Sequence, residues 1–209
     1  MEKEIPYFKQ PDDSHCFQAC LKMILKYFFP ERDFTYEELE TISDKPENKW
    51  TWLCAVSVKL KNMGLKVKHY SVFDYNDFVK SGEDYIRKTY EKSIAEKMIR
   101  LTDIKSEVEN SDRMLKENVF ELKEVSLRDV ENWFKDGYTA IFLINCSIIN
   151  KESGYEGHYV VLTGFDDENV FINDPDRWKG SPNRKVEKDL FVKAWSFPEK
   201  ENTVILIKK

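Results

Sequence analysis

The feature that most constrains this chain is a pair of short apolar runs separated by a cluster of turn-forming residues. His158 to Phe165 reads His-Tyr-Val-Val-Leu-Thr-Gly-Phe, Asp166-Asp167-Glu168-Asn169 follows, and Val170 to Asn173 completes the unit just before Asp174-Pro175. β-Branched and aromatic residues on both sides of a polar turn predict an antiparallel hairpin. Antiparallel pairing returns the end of the second strand to the start of the first, so Asp174 comes back beside His158. Pro175 keeps the residue before it out of the helical region and holds Asp174 extended.

Two further apolar runs, Thr139 to Ser147 and Thr203 to Ile207, extend the hairpin into a mainly antiparallel sheet in the C-terminal half. The N-terminal half reads as helical. Phe17, Cys20, Leu21, Ile24, Leu25 and Phe28 recur at helical spacing, which predicts a helix from Cys16 to Phe29, with Asp13 or Ser14 as N-cap and Pro30 as its stop. Thr35 and Glu38 form a capping-box pattern for a helix over Tyr36 to Ile42, and a third helix runs from about Trp50 to Met63, ended by Gly64. Leu65 to Val72 reads as a strand. Ser126-Leu-Arg-Asp129 is a second capping box, opening a helix with Val130, Trp133 and Phe134 that ends at Gly137.

Residues 74–120 are rich in Lys, Glu, Asp and Ser, with helical stretches at Ser93 to Leu101 and Arg113 to Leu122. They read either as an inserted helical subdomain or lid, or as a solvated charged spacer. The whole is expected to be one α+β domain over residues 1–209, a helical N-terminal half packed on the sheet, with a site where the two meet.

The 209 residues carry 33 basic and 38 acidic side chains, a formal net charge of -5, with no concentration of Lys and Arg, so nucleic acid is disfavoured as a partner. No apolar run is long enough to cross a bilayer and Met1 to Ile5 does not look like a signal peptide, so the chain is expected to be cytoplasmic. The four cysteines form no dense ladder and are expected to be reduced. Cys20 and Cys146 lie within apolar patterns and read as small buried hydrophobes.

Cys16 differs, because it opens a helix, where unpaired N–H groups and the positive end of the dipole favour an anion. A thiol nucleophile needs a base, a group to orient that base, and donors for the oxyanion. Of three histidines, His15 reads as an exposed polar neighbour and His69 as a surface or edge residue of a Lys-flanked strand, which leaves His158 at a strand mouth as the base. Asp174 is the first choice as its orienting partner, with Asn173 in competition. Gln10, on the polar approach to the first helix, can pair its side-chain NH₂ with the Cys16 N–H as an oxyanion hole.

Together, Ile5-Pro-Tyr-Phe-Lys-Gln10, Cys16 opening a helix, Gly157-His158-Tyr-Val-Val-Leu-Thr-Gly164, Val170-Phe-Ile-Asn-Asp174-Pro175 and Phe191-Val-Lys-Ala-Trp195 resemble the papain-like cysteine peptidases related to the bacteriocin-processing, double-glycine-leader peptidases. The resemblance covers about residues 5–72 and 125–207. It implies a papain-like fold, no cofactor, a peptide or protein substrate, and the roles of glutamine, nucleophile, histidine and aspartate for Gln10, Cys16, His158 and Asp174. Where many relatives carry Cys-Gly-Pro, this chain has Cys16-Phe17-Gln18.

The expected function is hydrolysis of a peptide or isopeptide bond through a thioacyl-enzyme. An acyltransferase using the same intermediate and an inactive peptide-binding module are the alternatives. A zinc site is disfavoured because no Cys-x-x-Cys pair exists. Trp50 and Trp52, with Leu53 and Val56, read as core, as does Trp195, whose other possible role is to wall the cleft.

Overall fold

The computed structural model describes residues 1–198 and 201–209. In chain order the helices and strands are α1 (Cys16–Phe28), α2 (Tyr36–Ser43), α3 (Leu53–Asn62), β1 (Lys66–Ser71), α4 (Tyr75–Ser81), α5 (Glu83–Thr89), α6 (Lys92–Leu101), α7 (Ile104–Lys116) and β2 (Phe120–Leu122). There follow α8 (Leu127–Lys135), β3 (Thr139–Asn145), α9 (Cys146–Ile149), β4 (Gly157–Phe165), β5 (Asn169–Asn173), β6 (Arg184–Glu187), α10 (Lys188–Trp195) and β7 (Val204–Lys208). One sheet contains the strands in the order β2-β1-β7-β3-β4-β5-β6, antiparallel throughout except for the parallel pair β1 and β2. The fold is α+β, with N-terminal helices on a mixed, mainly antiparallel sheet.

The central strands are apolar without a gap because both faces are covered. Side chains alternate across a strand: Ile141, Val161 and Ile205 pack with Leu21, Ile24 and Leu25 of α1. Their neighbours Phe142, Val160, Leu162 and Leu206 face the other way and join Val130, Phe134, Phe191 and Trp195 of α8 and α10. Trp195 is thus a core residue, its indole N–H donating to the Thr203 carbonyl at 3.0 Å. Both capping boxes form, Thr35 with Glu38 and Ser126 with Asp129.

The hairpin forms as its residues dictate. Asp166 turns the chain by accepting the Glu168 and Asn169 N–H groups, and β4 pairs with β5 from Phe165↔Val170 back to Val161↔Asn173, with a register shift between Leu162 and Gly164. β3 stops at Asn145, short of Ser147, because the Asn145 side chain accepts the N–H groups of Ser147 and Glu156 and starts α9.

Within residues 74–120, α4 to α7 bury Phe78, Ile86, Met98 and Met114 against Cys54 and Val58 of α3. The charged side chains that dominate the composition face outward. Glu107 is an exception: it is buried, and burial pushes its carboxyl up to about 8. The helix expected over Arg113 to Leu122 ends at Lys116, and Phe120–Leu122 instead becomes β2. That added strand corrects the reading of His69 as a surface residue. With β2 beyond it and Tyr75 and Phe120 against its ring, His69 is 1% exposed, and desolvation lowers its pKa to about 3.

Truncation in the middle layer should be costly. Phe142→Ala is expected to destabilise the protein by about 3–5 kcal/mol and Thr35→Ala, which removes one cap, by about 1 kcal/mol, both read from chemical denaturation midpoints.

Candidate active site

Cys16 is the first residue of α1, and no side chain caps that helix. The expected cap at Asp13 or Ser14 does not form. His15 occupies the N-cap position, while Asp12 accepts the Ser14 N–H at 2.8 Å and lies 2.7 Å from His15 Nδ1. His15 Nε2 lies 2.6 Å from Glu40 Oε1, so His15 bridges two carboxylates, half-buried rather than exposed. The cost of an uncapped first turn is loss of helix stability; its consequence is a set of unclaimed N–H groups beside a thiol.

His158, near the start of β4, is buried, and its Nε2–H donates to Asp174 Oδ1 at 2.8 Å. With Nε2 engaged by Asp174, Nδ1 is the nitrogen left over, and Cys16 lines the same cleft and acts on the ring. Burial acts to lower the pKa of His158, but hydrogen bonds to Asp174 and Cys16, together with their charges, prevail and raise it to about 10. Burial likewise acts to raise Asp174, and the hydrogen bond and charge of His158, the Asp176 N–H and Arg184 take it down to about 2. Asp174, not Asn173, therefore meets the imidazole. Asn173 is committed elsewhere, donating to the Ile5 carbonyl at 3.0 Å and accepting the Asn183 N–H at 3.1 Å.

Gln10 is buried, and its N–H donates to the Pro175 carbonyl at 2.9 Å, which fixes it to the turn that carries Asp174. Its Oε1 has no hydrogen-bond partner among the described residues. Gln10, Cys16 and His158 line one cleft of about 400 Å³. Cys146 lines it too, and burial pushes that thiol up to about 12; burial also raises Cys20 and Cys54. Trp50 and Trp52 pack against the core cluster of the 74–120 helices, as read from the sequence, and also reach the cleft. They stand half-buried in the cleft wall, because α3 begins only at Leu53.

Arg184 escaped sequence reading. Its Nη1 donates to Asp174 Oδ2 at 2.7 Å and its Nη2 to Asn150 Oδ1 at 2.8 Å, so one guanidinium holds the carboxylate that holds the imidazole. β6 contains only Arg-Lys-Val-Glu and has too little alternation to be seen as a strand. Tyr7, whose hydroxyl donates to the Asp174 carbonyl at 3.0 Å, was also missed. Among the described residues, no group of three or more His, Cys, Asp or Glu is arranged to hold a metal ion, and no helix is long and apolar enough to cross a membrane.

Residues 2–200 match the model of the Peptidase_C39 like family. Solved structures share the fold at TM-scores just above one half. A double glycine motif protease from an AMS/PCAT transporter, in complex with the leader peptide, matches with a TM-score of 0.52 and 17% identity over 100% of this chain and 94% of its own. The peptidase domain of Streptococcus ComA, a bifunctional ABC transporter of a quorum-sensing pathway, gives 0.52 and 15%, over 99% of this chain and 100% of its own. A putative C39-like peptidase from Bacillus anthracis gives 0.53 and 15%, over 99% and 95%. Among curated proteins, the uncharacterised protein YvpB of Bacillus subtilis (strain 168) is 46% identical over 44 residues, 21% of this chain and 16% of that protein.

Asp174 binds fewer protons folded than unfolded, so it adds stability above its unfolded pKa near 4, and this is lost as pH falls toward its folded value of about 2. The loss amounts to roughly 2 kcal/mol. Denaturation midpoints measured across that interval should fall with acid, and Asp174→Asn should lack this component of the fall.

Proposed function

The chain belongs to the Peptidase_C39 like family, and on that premise we propose that it is a cysteine hydrolase cleaving a peptide or isopeptide bond. The observation that supports the reading is an imidazole, His158, that holds the Asp174 carboxylate and lines the same cleft as the Cys16 thiol. An imidazolium at His158 supports a thiolate at Cys16, and Asp174 keeps the ring turned toward sulfur. The thiolate attacks the carbonyl carbon. The oxyanion that develops is met by the Cys16 N–H, free at the uncapped helix start, and by the side-chain amide of Gln10.

His158 then gives its proton to the leaving amine, which departs as the thioester forms. Water, losing a proton to the now neutral His158, attacks the thioester and releases the acyl group, restoring the thiolate-imidazolium pair. Every step uses residues already in the cleft, and none calls for a cofactor. A peptide substrate is in keeping with the double glycine motif protease of the same fold, which was solved in complex with the leader peptide.

Iodoacetamide titrated across pH, with the adduct mapped by mass spectrometry, tests the nucleophile. Cys16 should be modified first, whereas prior modification of Cys54 or Cys146 with Cys16 inert would overturn the reading. With a cleaved peptide in hand, Cys16→Ala should remove activity by about three orders of magnitude or more, and Gln10→Ala should lower kcat about 100-fold with a smaller change in KM.

A further inference from the structure

Where the 74–120 helices wall the cleft, its lining is aromatic, with Trp52 and Phe73 beside Tyr75 at the start of α4 and Tyr90 at the end of α5. Among these rings stands Glu201, which lines the same cleft although only 4% of its surface is exposed. A carboxylate so placed is costly without a partner of opposite charge. Glu201 has one weak partner: its Oε1 accepts the Tyr90 hydroxyl at 3.2 Å. No Lys, Arg or His among the described residues forms an ion pair with it.

The groups facing Glu201 from the packed elements are phenols. Tyr75, Tyr90, Tyr155 and Tyr159 all feel its charge, and each is held above its ordinary pKa, by burial first, so they remain neutral. Glu156, a second acid of the cleft, is already neutralised by Lys97 at 2.6 Å. A buried acid with no cation paired to it among the described residues, lining a cleft beside aromatic faces, is the complement of a long cationic side chain. The aliphatic stem packs on rings, the charge is held by their faces and by the carboxylate, and a neutral side chain of the same length leaves that carboxylate unpaired.

We infer that this part of the cleft is a specificity subsite for a Lys or Arg side chain of a bound peptide, with the cation on Glu201. The inference deepens the hydrolase reading by naming a substrate class, but the binding it describes does not require turnover. Burial raises the Glu201 carboxyl to about 8, so entry of a cation at neutral pH displaces a proton, and the preference for a cation strengthens as pH rises from 6 toward that value.

The test uses the full-length Cys16→Ala protein, so no cleavage intervenes. Fluorescein-labelled hexapeptides with one Lys scanned through an Ala/Ser background are compared by anisotropy with the same set carrying norleucine. At one position or more, Lys is expected to bind about 10-fold tighter than norleucine. That preference should shrink to within about 2-fold in Cys16→Ala/Glu201→Gln, whose folding is checked by circular dichroism. Tyr90→Phe in the same background should keep the preference, since it removes only the hydroxyl. Equal binding of Lys and norleucine at every position, or a Lys preference that survives Glu201→Gln, would overturn the inference, and the first comparison decides it even if the Gln variant does not fold. Peptides bound with this preference but never cleaved by the wild-type protein would instead sink the hydrolase reading and leave the subsite standing.

Discussion

The hydrogen bond from His158 to Asp174 is the constraint around which the rest of the cleft is arranged. It joins the first strand of a hairpin to the residue just past the second, so its length is set by β-sheet register rather than by a flexible loop. The carboxylate is held in turn by Arg184 from the next strand and by the N–H of Asp176. An imidazole fixed on one nitrogen can offer only the other to Cys16, which α1, packed on β4, brings into the same cleft. Sheet register on one side and helix packing on the other thus determine where the proton resides.

The stabilising elements and the reactive ones impose opposite demands. Both faces of the central sheet are sealed by apolar side chains, and the capping boxes of α2 and α8 are complete. At the cleft the same economy is relaxed. α1 begins without a side-chain cap, Gln10 keeps a buried oxygen without a partner, and Glu201 sits buried against aromatic rings. Each feature costs stability on its own, and all three face one cavity, as expected where polar groups are kept ready for a ligand.

Much of this was legible from residue pattern because it is local. The hairpin follows from two apolar runs and a polar turn, and Cys16 at a helix start follows from periodicity that begins there. The two-residue period of the strands is enough to bring His158 and Asp174 together. What could not be read depends on contacts between distant segments. Arg184 lies in a strand of four residues with one apolar member. His69 was misjudged because its flanking lysines suggest an edge, while the covering strand comes from Phe120–Leu122, far along the chain. Trp50 and Trp52 carry the composition of core residues. Only the boundary of α3 at Leu53 places them on the cleft wall, and helix boundaries are the least certain part of a periodicity reading.

The protonation state of His158 tests the central claim most directly. Nitrogen-15 NMR of the imidazole across pH should find both ring nitrogens protonated through neutrality, with the proton lost near 10, and an earlier loss in Cys16→Ser. A neutral ring at pH 7, titrating at or below about 6.5 as an unpartnered histidine does, would contradict the charge-paired arrangement of sulfur, imidazole and carboxylate.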